Sequence, residues 1–582
     1  MNDFSPSTHL IVTLACPLLG AVVAWVIGSR GLSALRQSAA VTTLVTLVLA
    51  GWLVMRYLAS PEAAAGEPYA VASFPWLVSS PAADGGSGGL DIRLSLGLDG
   101  LSLWLFALSA LLSVTAVFVS WEAVKDRAIG FYSLLLVLES AMLGVFAARD
   151  VILFYVFFEF TLVPLFFLIG IWGHDDRRRA ATKFFIYTLA GSVLTFLGLL
   201  SIVLWNAAHT GSLSFDIATL TAGLAVHPIP MTAESGWLQM WVFLALLAGF
   251  AIKVPIFPFH TWLPLAHVEA PTAGSVDLAG VMLKIGMYGF LRFSLPMLPE
   301  ASAAAAPWLV ALGVVGILYG ALVALAQTDL KRLVAYSSVS HMGYCVMGLF
   351  ALEPVAIEGA NLQLINHGLS SAGLFALVGM IYERFHTRSI ANLGGIASKA
   401  PWLAVLFMIF TFSSIGLPGL NGFVGEFLIL AGTFQRAWAG APASITAAYL
   451  AMAILAVLGV VLGAWYMLSA VERVLFGPSR EPPGHGSHAH ADHGHDHHAG
   501  QHAAAKHPLD LTWFEWAALL PLVVFVFWIG LAPGTFLRPA APAVRDATLA
   551  SREAFATRVA ADAAAGTATK PDARQVTLEG NP

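Results

Sequence analysis

Residues 251–293 read AIKVPIFPFHTWLPLAHVEAPTAGSVDLAGVMLKIGMYGFLRF, and this stretch decides the fold. It joins two hydrophobic helices, each with one lysine in an apolar setting: Lys253 in the first and Lys284 in the second. The first helix starts near Trp237, so at about 1.5 Å per residue Lys253 lies deep in a bilayer. Lys284 falls near the middle of the second helix. A lysine at mid-membrane depth costs about 3 kcal/mol even on lenient scales, so both side chains are candidates for function.

Prolines interrupt the first of these helices. Pro255 and Pro258 each lack a backbone N–H, which predicts that the helix breaks just past Lys253. A second segment, FTFSSIGLPGLNGFVGEFLILAG at 410–432, predicts a similar break one turn before Glu426. Its helix-breaking residues are Gly416, Pro418, Gly419 and Gly422. Broken membrane helices are tolerated only where the freed backbone faces protein or water, so both breaks are expected inside the helix bundle.

The composition excludes a soluble globular fold. Of the 582 residues 58% are hydrophobic and only 11% are charged, and apolar runs of eighteen or more residues recur along the chain. This pattern predicts an all-α polytopic membrane protein. The first apolar run, 9–28, follows a segment without Lys or Arg, so we expect a retained helix rather than a signal peptide. Cys16 and Cys345 both lie in apolar runs, which predicts neither a disulfide framework nor a cysteine metal site.

Fourteen membrane spans are predicted, at 8–28, 35–57, 99–121, 129–148, 150–171, 181–205, 237–258, 274–294, 306–327, 331–350, 359–383, 401–434, 445–472 and 512–537. Alternating the connecting loops places sixteen Lys and Arg residues on one side and five on the other. The rich side is therefore expected to face the cytoplasm, with both termini outside.

The two predicted breaks suggest an internal repeat. The seventh span is the fourth helix of spans 4–8, and the twelfth span is the fourth helix of spans 9–13. Because five is an odd number, consecutive units must be inverted relative to each other in the membrane. Inverted repeats with broken helices are typical of transporters.

The predicted domain organisation follows from these spans. It comprises the N-terminal helices 1–3 at 1–128 with an outside loop at 59–98, a first five-helix repeat at 129–294, a second inverted repeat at 306–472, a cytoplasmic loop at 473–511, helix 14 at 512–538 and a C-terminal tail at 539–582. The outside loop contains several prolines and the run GGSGG, with a short hairpin expected near 90–97. The tail is rich in Ala, Thr and charged residues, so we expect it to be largely disordered.

The loop at 485–507 reads HGSHAHADHGHDHHAGQHAAAKH and holds nine of the eighteen histidines. Its composition suggests metal binding, and a zinc or nickel transporter is one possible function. The alternative is a solvated loop with incidental affinity for metals. Because no cysteine or spacing rule fixes a coordination geometry, we favour the solvated loop and expect no metal site.

Seven ionisable residues lie within predicted spans: Glu139, Glu159, Lys253, Lys284, His341, His367 and Glu426. Any one of them alone is readily explained as a buried, hydrogen-bonded packing residue. Together they form a series in which burial and neighbouring charges oppose each other, so protonation can change when a neighbour moves. The sequence contains no phosphate loop, haem or iron–sulfur spacing, or nucleophile elbow. The series therefore indicates transport, most simply of protons, without bond chemistry on this chain.

Several motifs resemble the M-subunit family of NADH–quinone oxidoreductase (respiratory complex I), whose members are antiporter-like membrane subunits. The resemblance spans roughly 100–475 and is carried by KVPIFPFHTWLPLAHVEAPTAGSVDLAGVMLKIGMYGFLRF, AQTDLKRLVAYSSVSHMG, LINHGLSSAGLF, YERFHTR and GFVGEFLIL. It implies fourteen core helices, two inverted five-helix repeats, broken helices 7 and 12, and proton translocation coupled to quinone reduction elsewhere in the complex.

The resemblance also implies roles for individual residues. The positions that match the family's fifth-helix glutamate, broken-helix lysine, central lysine, two connecting histidines and twelfth-helix glutamate are Glu159, Lys253, Lys284, His341, His367 and Glu426. Glu139 resembles an auxiliary acid of the fourth helix. No cofactor or metal is implied on this chain, since flavin, iron–sulfur clusters and quinone belong to partner subunits. The implied partners are the L- and N-type membrane subunits and the lipid bilayer of the bacterial inner membrane, with no nucleic acid.

Two related functions remain open from the charges alone. A subunit of a multisubunit Na⁺/H⁺ antiporter, or of a related membrane-bound hydrogenase, needs a similar set of buried ionisable residues. The SVDLAG motif in 275–280 resembles the M type, and this favours the oxidoreductase subunit.

Overall fold

Membrane-spanning helices account for most of the fold. The computed structural model describes residues 5–78, 89–438, 443–480 and 509–568. Within these residues eleven helices are long and apolar enough to cross a membrane. Helix 3, at Leu103–Val119, and the interrupted helices 7 and 12 complete the set of fourteen. The predicted helical, polytopic membrane fold is confirmed.

Numbered in chain order, the fourteen helices are Pro6–Ile27, Leu32–Leu58, Leu103–Val119, Ala128–Ala147, Val151–Trp172, Arg177–Thr210, Leu238–Lys253 continued by Leu263–Glu269, Thr272–Met297, Pro299–Leu325, Leu330–Phe350, Pro354–Phe385, Pro401–Ser414 continued by Asn421–Trp438, Ala443–Val471 and Trp513–Leu531. Each of the two five-helix units, helices 4–8 and 9–13, thus contains one interrupted helix in its fourth position.

Both predicted breaks are confirmed. The first half of helix 7 ends at Lys253, directly before Pro255, and regular helix resumes only at Leu263. In helix 12 the break covers 415–420, where Gly416 and Gly419 adopt positive φ angles of 75° and 92°. Residues with a Cβ rarely adopt such angles, so these two glycines allow the chain to turn inside the bundle.

Helix 8 contains two π-helical turns, which the sequence analysis missed. They cover Leu278–Met282 and Phe290–Ser294 and flank the α-helical turns that carry Lys284. A π-turn shifts the backbone hydrogen bonding by one residue and redirects the side chains around it. The first of these turns places a backbone carbonyl next to the lysine, as described below.

A small sheet is an exception to the all-α prediction. Strand β1 at Tyr69–Val78 pairs antiparallel with β2 at Leu90–Leu98, and β2 pairs parallel with the short β3 at Leu213–Ser214. The short hairpin expected near 90–97 is therefore wrong in its bounds, because residues 90–98 form a single strand that pairs with 69–78.

The connecting segments meet on two faces. One, the hairpin face, joins the sheet to the loops after helices 4 and 6, through the bridges Leu96–Ala148 and Asp150–Asp216. The other, the basic face, joins the loops before helix 6, before helix 10 and after helix 11. Here the backbone N–H of His174 donates to Glu269 O at 2.9 Å. Every one of these contacts joins loops that the predicted alternation places on the same side.

The C-terminal segment corrects one prediction. The tail at 539–582 was expected to be disordered, but a helix covers Gly534–Ala568. Its buried residues recur every three or four positions, which creates a stripe that composition alone conceals. The stripe consists of Phe536, Ala540, Ala543, Val544, Thr548, Ser551 and Phe555. The helix packs on the hairpin face, where the Ser551 hydroxyl donates to Leu295 O at 2.6 Å.

Candidate functional site

Lys284 lies at the centre of the candidate site and is fully buried. Its ammonium donates to the carbonyl of Ala279, in the first π-turn of helix 8, and to Nδ1 of His367 on helix 11 at 2.7 Å. Because Nδ1 accepts this bond, the neutral His367 ring carries its proton on Nε2. That nitrogen is buried without a hydrogen-bond partner among the described residues, so its N–H can donate to a water.

His341 and Glu426 form a closely bonded pair beyond His367. His341 Nδ1 lies 2.7 Å from Glu426 Oε1, and its Nε2 lies 3.1 Å from the Ser414 hydroxyl, just before the break in helix 12. Gln363 also donates to Glu426 Oε1 at 3.1 Å. The carboxylate is therefore held from two sides, by helix 10 and by helix 11.

A small polar cavity separates the two histidine rings, whose centroids are 5.7 Å apart. Its lining includes His341, His367, Ser337, Ser370, Ser371, Ser413 and Ser414. Hydroxyl groups around a buried cavity of this kind suit an ordered water. No hydrogen bond of the described residues joins the two rings directly, and both rings line this cavity.

Asn366 and Asn421 hold the break of helix 12 against helix 11. The Asn366 amide donates to Asn421 O at 2.8 Å, and the Asn421 amide donates to Asn366 O at 3.2 Å. The Ser413 hydroxyl donates to Asn421 Oδ1 at 2.5 Å. These bonds join helix 11 to the start of the second half of helix 12, and join the two halves of helix 12 to each other across the break.

Glu159 and Lys253 are near each other but are not joined. Among the ion pairs of the described residues, none links this carboxylate to this ammonium within 4 Å. The two groups interact electrostatically, and Glu159 is only half-buried, with Ser192 as a further neighbour. Lys253 is buried, and its ammonium lies 3.3 Å from Phe158 O and 3.5 Å from Thr161 Oγ1. The predicted pair is thus present in a separated arrangement.

The two lysines lie on helices that pack very closely. A Cβ at Gly286 on helix 8 would come within 2.8 Å of Phe250 O and 3.1 Å of Lys253 Cβ, so only glycine fits there. No hydrogen bond of the described residues joins Lys253 to Lys284. The candidate residues therefore fall into two groups: Glu159 with Lys253, and Lys284 with His367, His341 and Glu426.

Glu139 belongs to neither group. Its side chain is fully buried in helix 4, and both carboxyl oxygens lack a hydrogen-bond partner among the described residues. Its electrostatic neighbours are Asp277 on helix 8 and Cys16 on helix 1. Because no lysine or histidine is bonded to it, Glu139 is separate from the series that the sequence suggested.

Sequence reasoning missed His267 and Lys331. His267 lies in the short second half of helix 7, which follows the predicted break. The ring is fully buried, stacks on Phe375 at 4.4 Å and interacts electrostatically with Lys284, His367 and Lys331. Lys331 donates to Ala270 O at 2.6 Å. The sequence did contain one signal for His267. If the helix resumes after its break, the short distance along the chain from Lys253 keeps His267 inside the helix bundle.

His174 lies at the basic face, where the loop after helix 5 meets the end of helix 7. Burial lowers the pKa of His174 to about 4, and the positive charges of Lys331 and Arg388 add to the effect. Arg388 itself donates to Val268 O at 2.8 Å. This edge of the protein therefore holds a neutral imidazole between two cationic side chains.

The family profile described as NADH:quinone oxidoreductase/Mrp antiporter, transmembrane, matches residues 148–468, which contain all six candidate residues. The chain belongs to this family. Its curated relatives include subunit M of NADH-quinone oxidoreductase from Pseudomonas aeruginosa, 41% identical over 80% of this chain and 87% of the relative. The corresponding subunit M of Escherichia coli K12 is 40% identical over 80% and 86%.

Solved structures support the same family assignment. Respiratory complex I from Thermus thermophilus with bound NADH contains a chain that is 31% identical, with a TM-score of 0.74 over 93% of this chain and 99% of that one. The Mrp complex from Dietzia matches with a TM-score of 0.70 over 95% and 99% at 21% identity, which shows a shared fold only. The His-rich loop lies outside the described residues, and within those residues no group of three metal-ligating side chains is found.

Proposed function

We propose that this chain is the antiporter-like, proton-translocating membrane subunit of a NADH–quinone oxidoreductase. Curated relatives that are about 40% identical over most of both chains are named as such subunits. The observation that carries the mechanism is a series of two bonded pairs, Lys284 with His367 and His341 with Glu426, that line one polar cavity through their histidines. Each member can accept a proton from one neighbour and release it to the next.

In the proposed path, Glu159 and Lys253 act as a switch at one end. Joining the two charges offsets part of each desolvation cost, and separating them changes the affinity of each for a proton. Lys284 then receives a proton and passes it through His367 Nε2, the polar cavity and His341 to Glu426. A water in the cavity would bridge the two rings, whose centroids are 5.7 Å apart.

The chain itself is proposed to hold no redox centre. Flavin, iron–sulfur clusters and quinone are assigned to partner subunits, and the redox reaction is coupled to this chain through the membrane arm. The proposed partners are L- and N-type antiporter-like subunits in a bacterial inner membrane. Copurification provides a first test, since a complex that contains this chain should also contain flavin and iron–sulfur subunits; recovery only with antiporter subunits would contradict the assignment.

The proposed orientation has the basic face in the cytoplasm and the hairpin face outside. Cysteines introduced at 490 and 575 can be labelled in intact cells with a membrane-impermeant thiol reagent. Labelling at 575 but not at 490 is expected. Labelling at 490, or none at 575, would contradict the fourteen-span topology.

The path itself is tested by His367→Asn, which removes the link between Lys284 and the cavity. We expect NADH-driven proton pumping in membrane vesicles to fall by about 100-fold, the usual range for losing a proton-transfer group. The matched control is His209→Asn, at an exposed ring on the hairpin side of helix 6. Normal pumping by His367→Asn in an assembled complex would refute the path.

A Na⁺/H⁺ antiporter subunit is the second candidate, because the family profile covers both classes. The two are distinguished by the driving reaction. An oxidoreductase subunit moves protons only while NADH is oxidised, whereas an antiporter moves them when a Na⁺ gradient is imposed.

A further inference from the structure

The ammonium of Lys253 occupies a defined site on helix 5 that does not involve Glu159. Its three contacts are Phe158 O at 3.3 Å, Thr161 Oγ1 at 3.5 Å and the Phe158 ring, whose centroid is 4.0 Å away. All three belong to one turn of helix 5. Carbonyl and hydroxyl oxygens and an aromatic face each favour a cation, so this turn is suited to hold the charge.

The shape of helix 5 produces this site. The helix consists of Val151–Phe160 and Leu162–Trp172, with Thr161 at the junction. Pro164 lacks the N–H that would bond Phe160 O, and its ring crowds that carbonyl, so the helix bends at the junction. The Thr161 hydroxyl donates to Phe158 O at 2.8 Å, which leaves its lone pairs free to accept from Lys253.

We propose that Thr161 and the Phe158 carbonyl form a second binding position for the Lys253 ammonium, which competes with Glu159 and stabilises the separated state of the switch. Thr161 is then a positioning residue, because it acts by setting where the lysine rests. The inference rests on the proposed function, since it assumes that separation of Glu159 and Lys253 matters for pumping.

Two sets of groups compete for the Lys253 ammonium over a short distance. An isolated ammonium in the bundle would be costly, so Lys253 can leave Glu159 only if other groups replace the carboxylate. Thr161 and Phe158 provide that replacement without a negative charge. The ammonium is held less tightly there than by an anion, and the two positions can therefore both be populated.

The test compares Thr161→Val, which keeps the shape, with Thr161→Ser, which keeps the hydroxyl. Loss of one hydrogen bond to a charged group should shift the lysine towards Glu159 and lower NADH-driven pumping by about three- to tenfold. Thr161→Ser should stay within about twofold of the unmodified protein. The control is Thr188→Val on helix 6, a buried threonine that bonds Phe184 O at 2.7 Å and should pump normally.

A double-variant comparison separates positioning from packing. With Glu159→Gln there is no anion to compete for the lysine, so adding Thr161→Val should reduce pumping little further. Three results would each overturn the inference. Thr161→Val could cause the same loss with Glu159→Gln as without it, Thr161→Val alone could pump normally, or Thr161→Ser could pump as poorly as Thr161→Val. All variants are measured in the full complex after its content of this chain is verified. If Thr161→Val does not assemble, Thr161→Ala against Thr161→Ser gives the same comparison.

Different results would overturn the proposed switch and the second binding position. If Glu159→Gln and Lys253→Arg both pump normally, the switch itself is wrong. If they are impaired while Thr161→Val is normal, only the second binding position is wrong.

Discussion

The two five-helix units hold their charged side chains in opposite arrangements. In the second unit, His341 and Glu426 are 2.7 Å apart and Gln363 supports the same carboxylate. In the first unit, Lys253 rests on Phe158 O, while the next residue of helix 5, Glu159, is half-buried and forms no ion pair with it among the described residues.

Both units have a broken fourth helix, so the break alone does not decide whether the charges join. The surroundings of each break do. Lys253 is the last residue of its half-helix, with a second set of ligands within reach. Glu426 follows its break by one turn and is fixed by neighbours on two helices. In the proposed mechanism, the shared architecture thus supports one adjustable pair, Glu159 with Lys253, and one fixed pair, His341 with Glu426.

The largest effect is expected from Lys284→Ala, which removes the residue between the adjustable and the fixed group. Pumping should fall by about 100-fold or more, because no other bonded group replaces a proton carrier at that position. The measurement is NADH-driven acidification of inverted membrane vesicles. Lys125→Ala, at an exposed loop lysine, is the control. If Lys284→Ala pumped normally, the two groups would not be connected through helix 8.

Lys253→Arg tests whether the first unit is adjustable. Arginine keeps the charge but is very hard to deprotonate. A static ion pair would retain most of its activity, whereas a proton-passing lysine should lose about tenfold or more. Lys125→Arg provides the matched control. Wild-type pumping by an assembled Lys253→Arg complex would mean that the charges only hold two helices together.

Gln363→Leu tests how firmly the second unit holds its carboxylate. It removes one of the two side-chain bonds to Glu426 Oε1 while His341 remains. Because His341 still holds the carboxylate, only part of the energy of a charged hydrogen bond should be lost, and a loss of a few-fold in pumping is expected. Gln327→Leu, whose amide bonds only Val323 O, should be silent. Equal losses in both variants would argue against a fixed carboxylate.

His174→Gln tests the basic face near the first unit. Because burial lowers the pKa of His174 from 6.5 to about 4, the unfolded chain takes up a proton below pH 6.5 that the folded chain takes up only near pH 4. Folding stability therefore falls as the pH drops through this window. The denaturation midpoint of the complex should fall less between pH 7 and pH 5 in the variant than in the unmodified protein. His209→Gln should leave the full fall unchanged.

The smallest effect is expected from deletion of 485–505. This His-rich segment lies outside both units, and closure entropy changes only slowly with loop length. Assembly and pumping should stay nearly intact. Loss of pumping in an assembled complex would assign the loop a role that neither unit supplies.

Much of this architecture was predictable because the membrane imposes simple rules. Pro255 and the glycines near 416–419 predicted both breaks. The uneven distribution of Lys and Arg residues between loops predicted which loops lie on the same side. The predicted start of helix 9 at 306 was late, since the helix begins at Pro299, where the Ala-rich first turns carry little hydrophobic signal.

The missed features depend on side-chain detail. The π-turns of helix 8 and the role of Thr161 follow from how individual turns bend, which has no periodic signature. His267 escaped notice because its half-helix, Leu263–Glu269, is too short for a periodic pattern. The C-terminal helix was missed because its small buried residues resemble the composition of a disordered tail.

That last helix has a consequence for biogenesis. It contacts both units on the hairpin face, through Ser551 bonded to Leu295 O on helix 8 and through Phe555 beneath Arg436 on helix 12. Since it is the last described segment to leave the ribosome, both units must be inserted before it can cover them. A side chain at Gly100 would lie about 2.5 Å from Pro539 O, so a substitution there would obstruct this final step of assembly and leave earlier ones unaffected.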